Sequence, residues 1–89
     1  MDKTIDDLFI LKLIKAGDRL AFKHLFELYF TPLCRFVHLY MKKPGAAEYI
    51  VVDIFASLWE RRETLQIQIT LKASLFQSAR NRALRESHL

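Results

Sequence analysis

Glycine and proline occur only twice each in these 89 residues, and cysteine and tryptophan once each. So little punctuation excludes the turn-rich chain of a β-sandwich or barrel and favours helices. A single cysteine excludes an internal disulfide and suits a reducing cytoplasm, the location the sequence predicts. No uncharged apolar run is long enough to span a bilayer, so no membrane partner is expected. The start Met1-Asp2-Lys3-Thr4-Ile5-Asp6-Asp7 is acidic and lacks the layout of a signal peptide. There is no glycine-rich phosphate loop. His24, His38 and His88 stand far apart, and no Cys–His spacing suits a metal site. The carboxylates are scattered over predicted solvent faces, which argues against a paired acid–base site. Cys34 lies beside an apolar stripe and reads as a half-buried thiol rather than a nucleophile. Neither catalysis nor a cofactor nor a metal is expected.

What is there describes a folded chain. Hydrophobic residues make up 52% and charged ones 27%, which fits one globular domain over 1–89. The net charge of +4 and pI near 9.5 permit a nucleic-acid partner without requiring one.

The periodicity predicts four helices. Thr4 reads as the N-cap of the first, with Ile5, Leu8 and Phe9 starting a stripe that runs to Ala16, and Gly17 closing it. Asp18 then caps a second helix. Its stripe of Phe22, Phe26, Tyr29, Leu33, Phe36 and Tyr40, widened by Leu25 and Val37, alternates spacings of four and three. Pro32 falls inside this pattern and is expected to kink or break it. Lys42-Lys43 suit the helix's C-terminal end, before Pro44-Gly45. The third helix runs from about Ala46 to Arg62. Thr64 to Thr70 reads as an extended loop, in which Leu65, Ile67 and Ile69 alternate like a strand without a partner. Thr70 caps a fourth helix that reaches about Glu86.

Two helices carry the functional signal. On a wheel of ~100° per residue, Ala47, Ile50, Val51, Ile54 and Leu58 of the third helix form one apolar face, with Phe55 at its edge. Tyr49, Val52, Ala56 and Trp59 form a second. Asp53, Ser57 and Glu60 share a narrow polar arc, with Glu48 apart. A helix apolar over most of its circumference is either the central core helix or one covered by a partner. On the fourth helix Leu71, Leu75, Phe76, Ala79 and Ala83 form the apolar face. Ser74, Gln77, Ser78, Asn81 and Arg85 line a polar one, with Lys72, Arg80 and Arg82 around both. Such a stripe is either a solvated surface or a set of groups that bond base edges and phosphates.

Three strings carry a resemblance: Ala21-Phe22-Lys23-His24-Leu25-Phe26, Leu58-Trp59-Glu60-Arg61-Arg62-Glu63 and Ala79-Arg80-Asn81-Arg82-Ala83-Leu84. Together they resemble region 2 of bacterial extracytoplasmic-function (ECF) sigma factors, over nearly the whole chain. The resemblance implies a compact four-helix domain that acts in transcription initiation. It implies that the third helix docks on the clamp helices of the RNA polymerase β′ subunit, through Glu48, Tyr49, Val52, Asp53, Ala56 and Trp59. Tyr49 replaces the family's usual acid and Val52 its usual glutamine, which makes the docking face less polar. It further implies that the loop and fourth helix hold the non-template single strand of the promoter −10 element. The residues concerned are Gln66, Gln68, Thr70, Lys72, Ser74, Gln77, Ser78, Arg80, Asn81 and Arg85. Ser74 stands near a usual aromatic, whose loss removes a stacking platform of ~1–3 kcal/mol per base. An anti-sigma factor is a further partner the family implies. The family's second domain, a C-terminal helix-turn-helix, is absent from this chain. Two rival readings stand beside this one: a helical interaction module that self-associates or holds another protein, and a regulator's domain that binds duplex DNA. Weak homodimerisation is expected of an uncovered third helix.

Overall fold

At Gly17 and Gly45 the backbone turns left-handed, with φ of +90° and +81°, and each glycine marks a helix boundary. The computed structural model describes the backbone of residues 3–87 and the side chains of residues 7–87. Helix α1 spans Lys3–Lys15, α2 Arg19–His38, α3 Ala46–Glu60 and α4 Leu71–Ser87. The fold is all-α, with no strand among the described residues. None of these helices is long and apolar enough to cross a membrane.

The first connection is tight because the N–H groups of Ala16, Gly17 and Asp18 all turn back to carbonyls of α1. Gly17 N donates to the Ile14 carbonyl and Asp18 N to that of Leu13, both at 2.9 Å, which is a Schellman closure of α1. Asp18 Oδ1 then accepts from Leu20 N at 2.9 Å and Ala21 N at 3.1 Å and starts α2. The expected cap at Thr4 is not where α1 begins, since the helix already includes Lys3. The side chains of Thr4 and Ile5, and His88, lie outside the described residues.

Helix α1 buries a different face from the expected one. Ile14 is fully buried and Ile10, Leu11 and Leu13 pack on the core, whereas Leu8 and Phe9 are exposed. The segment Leu8-Phe9-Ile10-Leu11-Lys12-Leu13-Ile14 is apolar nearly all round, so periodicity alone cannot orient it.

Helix α2 packs against each of the other three helices and is the centre of the fold. Pro32 does not end it; the helix continues on both sides. It stops at His38, short of Tyr40, where Tyr40 N and Met41 N both turn back to the Val37 carbonyl. Lys42-Lys43 therefore lie in the connection to α3 rather than in a last helical turn. Phe26 meets Phe55 of α3 with ring centroids 4.9 Å apart, and Phe36 meets Phe76 of α4 at 5.2 Å. Cys34, expected half-buried, is buried.

The whole predicted apolar face of α3 is buried, from Ala47 and Ile50 through Val51, Ile54, Phe55 and Leu58. Leu71, Leu75, Ala79 and Ala83 of α4 close the same core. Burying each larger aliphatic side chain favours folding by about 1.5–3 kcal/mol. Helix α3 ends at Glu60, two residues before the expected Arg62. Thr70 begins α4, its Oγ1 accepting from Ala73 N at 3.0 Å.

Candidate nucleic-acid and partner interfaces

Where α4 lies beside the C-terminal half of α3, a cleft of about 510 Å³ opens. Ser74, Ser78, Asn81 and Arg85 line one wall, four residues of the polar stripe that share one side of α4. Ser57 of α3 and Arg61 just past its end face them, and Leu65 closes the loop end. A second, shallower depression of about 290 Å³ adjoins it and shares Ser74; Gln66 and Gln68 from the loop and Gln77 from α4 line it. Hydroxyls, amides and two guanidiniums without an ion-pair partner among the described residues thus form one tract from the loop along α4. Such groups bond phosphates and base edges alike.

The loop holds this position through its apolar residues. Leu65 and Ile67 pack on the core while Gln66 and Gln68 are exposed, so the alternation predicted from sequence survives as in–out pointing without a strand. Ile69 breaks the alternation and is exposed. Lys15 Nζ donates to the Leu65 carbonyl at 2.8 Å, tying the loop to the end of α1.

Two expected members of the nucleic-acid set lie elsewhere. Lys72 lines a separate cavity of about 400 Å³ between α1, α2 and α4, together with Asp7, His24, Tyr29 and Phe76. Its backbone N also approaches Asp7 Oδ2 at 3.5 Å. Arg80 is exposed but does not line the cleft. Thr70 uses its hydroxyl as the helix cap, which leaves that oxygen partly committed. Arg82, expected only to flank the polar stripe, lines the cleft, and so does Arg61, which the sequence did not point to. Arg61 stands just past the end of α3, and its approach to α4 follows from packing rather than spacing.

Among the described residues Arg82 is the best-connected charge. Nη1 donates to Asp53 Oδ2 of α3 at 2.5 Å, and Nη2 to Glu86 Oε2 at 3.3 Å. The hydrogen bond that Arg82 donates to Asp53 holds the guanidinium's pKa above its usual value, against the opposing effect of burial. Asp53, expected to face a partner protein, is therefore also the link between α3 and α4.

The outward side of α3 keeps part of the expected partner face. Tyr49 is 67% and Val52 49% exposed, with Ala56 exposed one turn on. Glu48 lies at the edge, its Oε1 3.9 Å from His38 Nε2. Trp59 departs from this group. It is half-buried, its ring 4.9 Å from that of Phe22. Helix α3 is thus a core helix on one side and an open apolar strip on the other.

Among the described residues no group of three His, Cys, Asp or Glu side chains could hold a metal ion. Compared with protein-family models, curated proteins and solved structures, the chain gives no match.

Proposed function

We propose that this domain acts as region 2 of an ECF-type sigma factor, by binding and not by catalysis. In this reading Tyr49, Val52 and Ala56 on the outer side of α3, flanked by Glu48 and Asp53, dock on the β′ clamp helices of core RNA polymerase. The cleft and loop then hold the melted non-template strand of the −10 element. One observation carries the reading: the polar stripe of α4 does not simply face solvent but forms one wall of a cleft with Ser57 and Arg61 opposite. That is the arrangement single-stranded DNA needs, with cations for the backbone and amides for the base edges. The docking strip and the cleft lie on one helix pair, so one partner can present DNA to the other surface. An anti-sigma factor would compete for the same strip, and the setting is the bacterial cytoplasm.

The test joins both halves. The chain is mixed with core polymerase and a random pool of single-stranded oligonucleotides, and retained sequences are read. Retention of the chain on polymerase, with an enriched motif that Gln68→Ala or Asn81→Ala blurs, supports the reading. Failure to bind polymerase leaves the interaction-module reading in its place, which the exposure of Tyr49 and Val52 favours.

A further inference from the structure

The cleft holds three guanidiniums, yet they are not equivalent. Arg61 and Arg85 have no carboxylate partner in the ion pairs of the described residues, whereas Arg82 is held between Asp53 and Glu86. Two carboxylates on one guanidinium cancel its charge toward anything in the cleft. Of the two, Glu86 is four residues away on the same helix, but Asp53 belongs to α3. The Asp53 side chain is 44% exposed and stands between Val52 and the exposed Ala56 turn, at the margin of the apolar strip. Arg82 thus lines the cleft, while its partner acid is partly exposed and is not among the residues lining it.

We propose that Arg82 is a latent nucleic-acid contact, gated by Asp53. A cationic side chain of a protein docked on α3 takes the Asp53 carboxylate. Arg82, released from that bridge, turns its Nη1 into the cleft and meets a phosphate. The two surfaces are then coupled, and by linkage the coupling is reciprocal: DNA in the cleft that engages Arg82 frees Asp53 for the docked protein. The inference rests on the proposed reading of the two surfaces but assigns a residue and a regulation that reading lacks. It also makes the isolated domain a weak DNA binder by construction.

Asp53→Asn imitates the docked state by removing the charge that holds Arg82. The assay is fluorescence anisotropy of a labelled single-stranded 12-mer across a salt series, with isothermal titration of inorganic tripolyphosphate as a second probe. Asp53→Asn should bind both probes several-fold more tightly than wild type. Its plot of log K against log salt should steepen by about 0.7, the increment for one more phosphate neutralised on a single strand. In the Arg82→Gln background the same substitution should gain nothing, which separates release of Arg82 from mere deletion of a negative charge. If Asp53→Asn gains equally with and without Arg82, or gains with neither probe, the gate is refuted and Arg82 is only a brace between helices. A gain for tripolyphosphate without DNA binding by any variant supports the gate and overturns the DNA reading. Circular dichroism confirms folding of each variant at the assay temperature; if Asp53→Asn unfolds, Asp53→Ser carries the same comparison.

Discussion

The guanidinium carbon of Arg62 lies 4.2 Å from the centroid of the Trp59 ring, and its Nη1 donates to the Trp59 carbonyl at 2.8 Å. One side chain therefore closes the end of α3 and covers the indole, whose ring also packs against Phe22 of α2. Its buried Nε has no acceptor among the described residues, so what Arg62 contributes comes from the stacking and the cap. Trp59→Ala should lower stability by about 2–3 kcal/mol, less than the ~3–5 of a fully buried aromatic. Arg62→Lys should cost about 0.5–1 kcal/mol through the lost stacking. Urea midpoints measure both, and an unchanged slope would show that the unfolded state is not the cause.

Contacts in the cleft should separate by type. Arg61→Ala and Arg85→Ala should weaken single-stranded DNA binding uniformly across sequences and flatten its salt dependence. Gln68→Ala and Asn81→Ala should instead relax preference at particular bases. Lys72→Ala should leave both properties as they are, because Lys72 lines the cavity toward Asp7 and His24. Anisotropy over a salt series distinguishes the three groups, and a loss of binding in Lys72→Ala would contradict the geometry.

The open strip of α3 should be dispensable for folding and required for docking. Val52→Asp is expected to leave the thermal midpoint nearly unchanged, as surface changes usually stay within about 0.5 kcal/mol. The same change should abolish retention on core polymerase. It should also remove the weak self-association expected of an uncovered apolar strip. Sedimentation at high concentration reads the second effect; identical profiles for wild type and Val52→Asp would show that the strip does not drive it.

Cys34 makes stability depend on pH at the alkaline end. Burial pushes its thiol pKa up, and the charge of Glu48 adds to the shift. The unfolded chain therefore gives up this proton first. The resulting stability is fully present below the unfolded thiol range, near about 8.5, and is lost as pH rises through the folded value. Cys34→Ala should flatten the decline that sets in above about pH 8.5. Tyr29, raised by burial and then by Asp7, should add a separate decline that begins only above the unfolded phenol's value of about 10, and Tyr29→Phe should remove it. Urea midpoints across these ranges check both.

The elements best read from sequence are those in which one residue type settles a boundary. Asp18 and Thr70 start helices because their side-chain oxygens accept backbone N–H groups, and the spacing of Ala47, Ile50, Ile54 and Leu58 orients α3. Leu8 and Phe9 misled because α1 is apolar around most of its circumference. Tyr40 continues the stripe of α2, yet the backbone has already turned back to Val37. Within the candidate site, Ser74, Ser78, Asn81 and Arg85 were legible as one face. The wall opposite them was not, since Arg61 and Ser57 reach the cleft only through the packing of α3 on α4. Trp59 and Arg82 show the same gap: a wheel gives a direction around one helix, while their roles depend on Phe22 and Asp53 from other elements.

Pro32 carries no N–H, so the Leu28 carbonyl lacks its usual helical donor in the middle of α2. The aromatic contacts of this helix divide between different neighbours on its two sides. Phe22 and Phe26 are fastened to Phe55 of α3, and Phe36 to Phe76 of α4. A missing rung at the junction lets amide protons on the two sides exchange with solvent in separate opening events, each timed by the helix it leans on. The central helix is then two segments end to end, and a ligand that steadies α4 would slow exchange after Pro32 while leaving the turns before it at their former rate.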